Sequence, residues 1–308
     1  MKRGLSVVMV ASVAGAAGFA GLRKRTARAP EPVPPGMVRQ IEGEWIHYVD
    51  HGSGPAIVLI HGFMGSTFGW RSTIPTLAQD HRVVALDLPG FGFSDRSGAI
   101  AYSPQAHAER VTRLMDALGI ERAVVIGHSM GGGVAERVAV GFPGRVERLV
   151  LVAAVDASVP EDGQHGGRGR GTLAFALASI AFKSPLLVSM GVRRALAGMV
   201  SREFATGEVV AGYLAPLLMP GTLACVRRLS EGTADATPVD LSAINVPALI
   251  VSGSRDTAVP PSVGEGLAKK IAGARHVVLE GAGHLIAEEQ PGAFLAEVEA
   301  FLDNPVAP

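Results

Sequence analysis

The sequence has one cysteine, Cys225, so no intramolecular disulfide can form and the redox compartment is left open. Cys225 lies in a stretch rich in leucine and alanine and reads as packing rather than chemistry. An excess of charge is missing too: 28 basic residues balance 28 acidic ones, and without a global field nothing points to nucleic acid or to acidic substrates. There is no His-Glu-x-x-His or other close ligand spacing, which disfavours a metal centre. The Gly131-Gly132-Gly133 run lacks the lysine of a phosphate-binding loop, and no cofactor is expected. What is present is a chain of 308 residues, 48% hydrophobic, enough for one large domain or two small ones with a substantial core.

The N-terminus differs in kind from the rest. Gly4 to Leu22 carries no charge, follows Lys2 and Arg3, and precedes Arg23-Lys24-Arg25 and Arg28. As a helix it would extend about 28 Å, close to the roughly 30 Å hydrocarbon core of a bilayer. Residues 1–28 read as a membrane anchor or a cleaved signal segment. The anchor is favoured because translocating the basic flank is opposed, and the same asymmetry weakly favours a cytoplasmic catalytic domain. "APEPVPPG", 29–36, reads as a stiff Pro-rich linker.

From residue 37 the pattern changes. Residues 37–52 alternate apolar and polar around Glu42-Gly43, as in a hairpin. "AIVLIHG" (56–62), "RVVALD" (82–87), "ERAVVIG" (121–127) and "VERLVLVAAV" (146–155) are apolar runs suited to strands buried on both faces. Helical patterns at 70–79, at 104–118 behind a Ser103 cap and at 129–141 alternate with them. The alternation stops near Asp156 and resumes with a strand at 246–253, a helix at 261–271, a strand at 274–283 and a helix at 291–302. That order predicts an α/β fold with a mostly parallel sheet and helices on both faces. Residues ~157–240 read as helices without strands, an insertion lying over the sheet. Its start, "EDGQHGGRGRG" (161–171), reads as a loop.

Ligands in open α/β sheets gather at the carboxyl ends of the strands. Four such ends here carry glycine or polar groups: His61-Gly62-Phe63, Gly127-His128-Ser129-Met130-Gly131, Gly253-Ser254-Arg255-Asp256 and Gly281-Ala282-Gly283-His284. A serine at such a junction can be a simple helix cap. The serine, acid and histidine in that order suggest more. With "HGFMGS" (61–66), "DLPGFGFSD" (87–95), "GHSMGGG" (127–133), "GSRDTAVP" (253–260) and "GAGHLIAEEQP" (281–291), residues ~38–303 resemble the α/β-hydrolase fold family.

The resemblance implies a serine hydrolase with Ser129 as nucleophile, His284 as base and Asp256 as the acid that orients it, with Asp156 as the alternative acid. It places the oxyanion donors at the backbone N–H groups of Phe63 and Met130 and gives Asp87, Gly90 and Gly92 a loop-shaping role. His61, His128 and His276 compete with His284 but have structural explanations. Phe175, Leu186, Met190, Leu217 and Met219 are candidate lining of an acyl pocket under the insertion. The expected partner is a small-molecule carboxylic ester, hydrophobic or lipid-like, with possible membrane association through residues 4–22 and no nucleic acid. Alternatives of the same fold are a C–C bond hydrolase, in which tryptophan commonly follows the histidine where this sequence has Leu285, a cofactor-free haloperoxidase or perhydrolase, and a non-catalytic ligand sensor.

Overall fold

The computed structural model describes residues 36–97, 101–159, 182, 184–234 and 236–303. The segment 4–22, the linker before Gly36, the loop 161–171 and Phe175 lie outside the described residues. Strands β1 (Met37–Ile41) and β2 (Glu44–His51) form the expected hairpin. Its two turn residues, Glu42 and Gly43, have φ of 49° and 89°, the left-handed pair that matches the twist of a tight hairpin. The sheet continues with β3 (Ala56–Ile60), β4 (Arg82–Leu86), β5 (Ala123–His128), β6 (Val146–Val152), β7 (Ala248–Gly253) and β8 (Arg275–Leu279), in the spatial order β1-β2-β4-β3-β5-β6-β7-β8. β2 runs antiparallel to β1 and β4, and every pairing from β4 to β8 is parallel.

The central runs are apolar throughout because both faces are covered. Val58 and Ile60 of β3 face a cluster with helices α2 (Pro104–Ala117) and α3 (Met130–Gly141) through Val111, Leu114 and Val134. Ile57 and Leu59 face the opposite cluster with Trp70 and Phe294. A side chain such as Phe294, wholly buried, contributes about 1.5–3 kcal/mol by leaving water. The helix expected at 70–79 is instead a 3-10 turn, Thr67–Trp70, and a single α-turn, α1 (Ile74–Leu77). Pro75 explains the break, since it donates no N–H and its ring would meet the carbonyl four residues earlier.

Between β6 and β7 the described residues contain no strand. They form α4 (Pro185–Met199), α5 (Gly207–Leu217) and α6 (Thr222–Ala234). Leu196 of α4 and Val209 and Val210 of α5 cluster on Leu285, the residue after His284, so the insertion is seated beside the strand ends. The chain then continues through α7 (Pro261–Lys270), α8 (Ile286–Glu289) and α9 (Pro291–Asp303). Among the described residues no single helix is long and apolar enough to cross a membrane.

Candidate active site

β3 and β5 are neighbours, yet the chain leaves β3 for β4 on one side and β5 for β6 on the other, which makes a topological switch point between their carboxyl ends. Ser129 stands there, at φ 53° and ψ −118° between β5 and α3, and its side chain makes no helix-capping bond. A non-glycine residue held at positive φ costs about 1–3 kcal/mol, so the simple cap reading fails on both counts. The turn is held by its own backbone: the Ser129 N–H donates to the Val152 carbonyl at 2.9 Å, and the Ser129 carbonyl accepts from Gly132 at 2.9 Å. A Cβ at Gly127 would lie 2.3 Å from the Gly131 carbonyl oxygen, and one at Gly131 would lie 2.4 Å from that of His61. Only glycine lets these strands and the turn approach so closely.

β8 ends at Leu279, earlier than the 274–283 expected, and Gly281 at φ 78° turns the chain into the loop that delivers His284. His284 Nε2 is 3.1 Å from Ser129 Oγ and Nδ1 is 2.7 Å from Asp256 Oδ2. A carboxylate only accepts, so Nδ1 carries the hydrogen and Nε2 is left to accept from the serine hydroxyl. Asp256 is buried, and its other oxygen accepts the Ala258 and Val259 N–H groups at 2.8 and 2.9 Å, which fixes the carboxylate. Met130 is the first residue of α3, where an amide has no intrahelical acceptor. Neither its N–H nor that of Phe63 finds an acceptor among the described residues.

Two of the competing histidines brace this arrangement. His61 Nε2 accepts the Leu88 N–H at 3.0 Å and Nδ1 donates to the Gly62 carbonyl at 2.7 Å, tying the Phe63 turn to the 87–95 loop. Burial lowers its pKa and keeps it neutral. His128 Nε2 donates to the His284 carbonyl at 2.9 Å, its ring 4.9 Å from that of His284. Burial first, then the neighbouring His284, push its pKa down to about 3.

Residues 55–179 match the alpha/beta hydrolase fold family and residues 213–308 match the TAP-like protein family. An uncharacterized protein of Mycobacterium tuberculosis is 30% identical over 303 residues, covering 92% of this chain and 86% of that one. The meta-cleavage product hydrolase of Pseudomonas fluorescens superposes with a TM-score of 0.72 at 27% identity, over 87% of this chain and 97% of that chain. An N-acyl homoserine lactone degrading enzyme superposes with a TM-score of 0.68 at 27% identity, over 87% and 100%. The chain belongs to the α/β-hydrolase fold family. It is a hydrolase.

The remaining sequence candidates of the hydrolase separate cleanly by position. Asp156 is ion-paired with Lys270 and bonded to Ser158, and it makes no bond to His284. Burial opposes its charge, but these bonds hold its pKa below the usual carboxylate value. His276 bonds Ser252 at 2.9 Å on the edge pair β7–β8. Asp87 is wholly buried and takes His47 Nδ1 at 2.7 Å and the Thr67 and Phe93 N–H groups at 2.6 and 2.8 Å. Burial would raise its pKa, but the His47 hydrogen bond and charge outweigh it and keep it low. Gly92 is required beside it, since a Cβ there would lie 1.9 Å from the Asp87 carboxyl carbon. Leu217 is buried in the insertion, and Met219 is half-buried. Leu186 and Met190 are not lining: they are 69% and 60% exposed, because α4 turns Val188 and Leu196 inward and these two outward. Sequence reasoning missed Glu289, whose two oxygens accept the Gly283 and Leu285 N–H groups at 2.7 and 2.8 Å and so bracket His284. Its only sequence signal is the acidic pair Glu288-Glu289 four and five residues after the histidine.

Proposed function

We propose that this hydrolase cleaves carboxylic esters with an apolar acyl group, hydrophobic or lipid-like, through an acyl-enzyme. The observation that carries the reading is the unbroken chain from Ser129 Oγ through His284 to the fixed Asp256 carboxylate. A serine hydroxyl is a weak nucleophile until a base removes its proton as attack begins. His284 Nε2 takes that proton while Ser129 Oγ bonds the ester carbonyl carbon, and Asp256 stabilises the imidazolium. His284 then gives the proton to the departing alkoxide. Water, deprotonated by His284, releases the acid and restores Ser129. The unengaged N–H groups of Phe63 and Met130 suit the oxyanion of both tetrahedral intermediates, where one such donor is worth about 3–4 kcal/mol. His128, kept neutral by burial, adds no charge against the imidazolium.

Two features support an apolar acyl group: the leucine- and alanine-rich insertion seated on Leu285, and the uncharged 4–22 segment, which we read as holding the hydrolase at a membrane. Relatives of this fold that cleave C–C bonds leave a second reading, which Leu285 after the histidine disfavours. The test is turnover of p-nitrophenyl esters of rising chain length, with labelling of Ser129 by a fluorophosphonate. Stoichiometric labelling that is lost in Ser129→Ala, with turnover of medium or long esters, is expected. A folded protein that neither labels nor turns over any ester refutes the reading.

A further inference from the structure

The loop that carries His284 has two walls, and only one of them belongs to the sheet. On that side the Arg255 N–H donates to the Ala282 carbonyl at 2.8 Å, and a Cβ at Gly253 would lie 2.2 Å from the Gly283 carbonyl oxygen. The end of β7 thus presses on the segment just before the base. The other wall is the insertion. A Cβ at Gly283 would lie 2.6 Å from the carbonyl oxygen of Met199, the last residue of α4, and 3.0 and 3.1 Å from the two Glu289 carboxylate oxygens. A backbone oxygen cannot swing aside as a side-chain tip can, and only glycine admits so close an approach.

Leu285, on the opposite flank of His284, is buried in the cluster that also holds Leu196, from the same last turn of α4. The Val200 N–H donates to the Leu196 carbonyl at 2.9 Å, so Leu196 and Met199 belong to one closed turn. Both neighbours of the base therefore rest on a single turn of the insertion. The geometry at His284 leaves little room for those flanks to shift. Its Nε2 is 3.1 Å from Ser129 Oγ, and a displacement of about 0.5 Å takes such a pair out of hydrogen-bond range.

We propose that the last turn of α4 is part of the mount of the base. Leu196, through its side chain, and Met199, through its carbonyl, are positioning residues for His284, and the hydrolase is competent only while that turn is seated on Gly283 and Leu285. This deepens the reading above and rests on Ser129 and His284 acting as described there. The two roles an insertion can play differ in what they demand of the substrate. One that merely covers an acyl pocket matters more as the acyl chain lengthens, whereas one that holds the base matters equally for every acyl group.

The test compares p-nitrophenyl acetate with p-nitrophenyl octanoate and follows the rate at which a small fluorophosphonate labels Ser129. Misplacing a reacting group slightly can cost up to about a hundredfold, so Leu196→Ala is expected to lower kcat about tenfold on both esters and to slow labelling by the same factor, with KM for the acetate within about twofold. Leu196→Met, which refills the space, recovers most of the loss. Gly283→Ala keeps the Leu196 side chain but pushes on the Met199 carbonyl, and the same uniform loss is expected. It carries the test if circular dichroism shows Leu196→Ala unfolded. Acetate turnover and labelling unchanged in either folded variant, or a loss confined to the octanoate, overturns the assignment and leaves α4 as a cover alone. A wild type that labels but cleaves neither ester refutes the ester reading, and the labelling rates still decide this one. A wild type that does neither removes both.

Discussion

His128 shows how a side chain that touches no substrate can matter at the scale of one residue. Its Nε2–H holds the His284 carbonyl, and with Glu289 on the flanking amides it fixes the segment that aims the imidazole at Ser129. Removing one buried hydrogen bond costs about 1–1.5 kcal/mol, and that cost falls on the alignment of Nε2 with Oγ. His128→Leu should therefore lower kcat about tenfold with little change in KM, whereas His128→Gln, which can return an N–H to the same region, should recover most of it. Steady-state kinetics on one p-nitrophenyl ester separates these outcomes. Glu136 carries a different prediction. It is wholly buried on α3, with Oε2 accepting the Ala157 N–H at 2.8 Å and Oε1 without a partner among the described residues. Burial, offset in part by that N–H, pushes its pKa up to about 8. Between pH 4.5, its ordinary value, and about 8, the folded chain keeps a proton that the unfolded chain has released. Stability is thus fully present below that window and declines as pH rises through it, with a slope approaching about 1.36 kcal/mol per pH unit. Glu136→Gln removes this contribution, so urea midpoints of wild type and variant should match near pH 4.5 and the variant should be the more stable at pH 8.5.

At the scale of the element, α5 is latched to the base of the site by a few polar groups. Tyr213 on α5 donates to Glu288 on α8, which also takes Arg71, and the Phe68 ring stacks edge-on to Tyr213 with its centroid 5.7 Å away. Burial raises the Glu288 pKa, and the Arg71 charge and both hydrogen bonds oppose the rise. Tyr213→Phe keeps the ring and loses the O–H, at about 1 kcal/mol or more. Amide exchange in α5 should speed up about fivefold while β3 and β5 keep their protection. An unchanged α5 would mean that the apolar contacts on Leu285 alone hold the helix. The latch also marks where sequence reading stops. Strand runs such as "AIVLI" and the blocks around Ser129, Asp256 and His284 are legible because periodicity and glycine spacing are local properties of the chain. The link between Glu288 and Tyr213 joins residues 75 apart, and that between Arg71 and Glu288 joins residues 217 apart, with no local signature in either. The same limit explains α4: an apolar composition announces a helix, but which of Leu186, Val188, Met190 and Leu196 turns inward depends on where the rest of the chain lies.

For the whole molecule, the two ends of the argument are the sheet that begins at Met37 and the uncharged 4–22 segment that precedes it. β1 pairs with β2 along its full length, from Met37 with Tyr48 to Ile41 with Glu44, and every described group at the site lies downstream of it. Residues 1–35 supply none of the described contacts that set Ser129, Asp256 and His284. Removing them should then leave kcat on a water-soluble ester within about twofold, since no contact made by Ser129, Asp256 or His284 among the described residues is lost. The proposed anchoring predicts the opposite for distribution. About 28 Å of uncharged helix flanked by basic residues should carry the full chain to the membrane fraction, resistant to high salt, whereas a chain beginning at Met37 should remain in the supernatant. Sedimentation of the two chains after lysis, with ester turnover assayed in each fraction, reads both effects at once. A full chain that stays soluble with its N-terminus intact would remove the anchor and with it the membrane support for a lipid-like substrate, while the serine, histidine and aspartate geometry would stand unaffected.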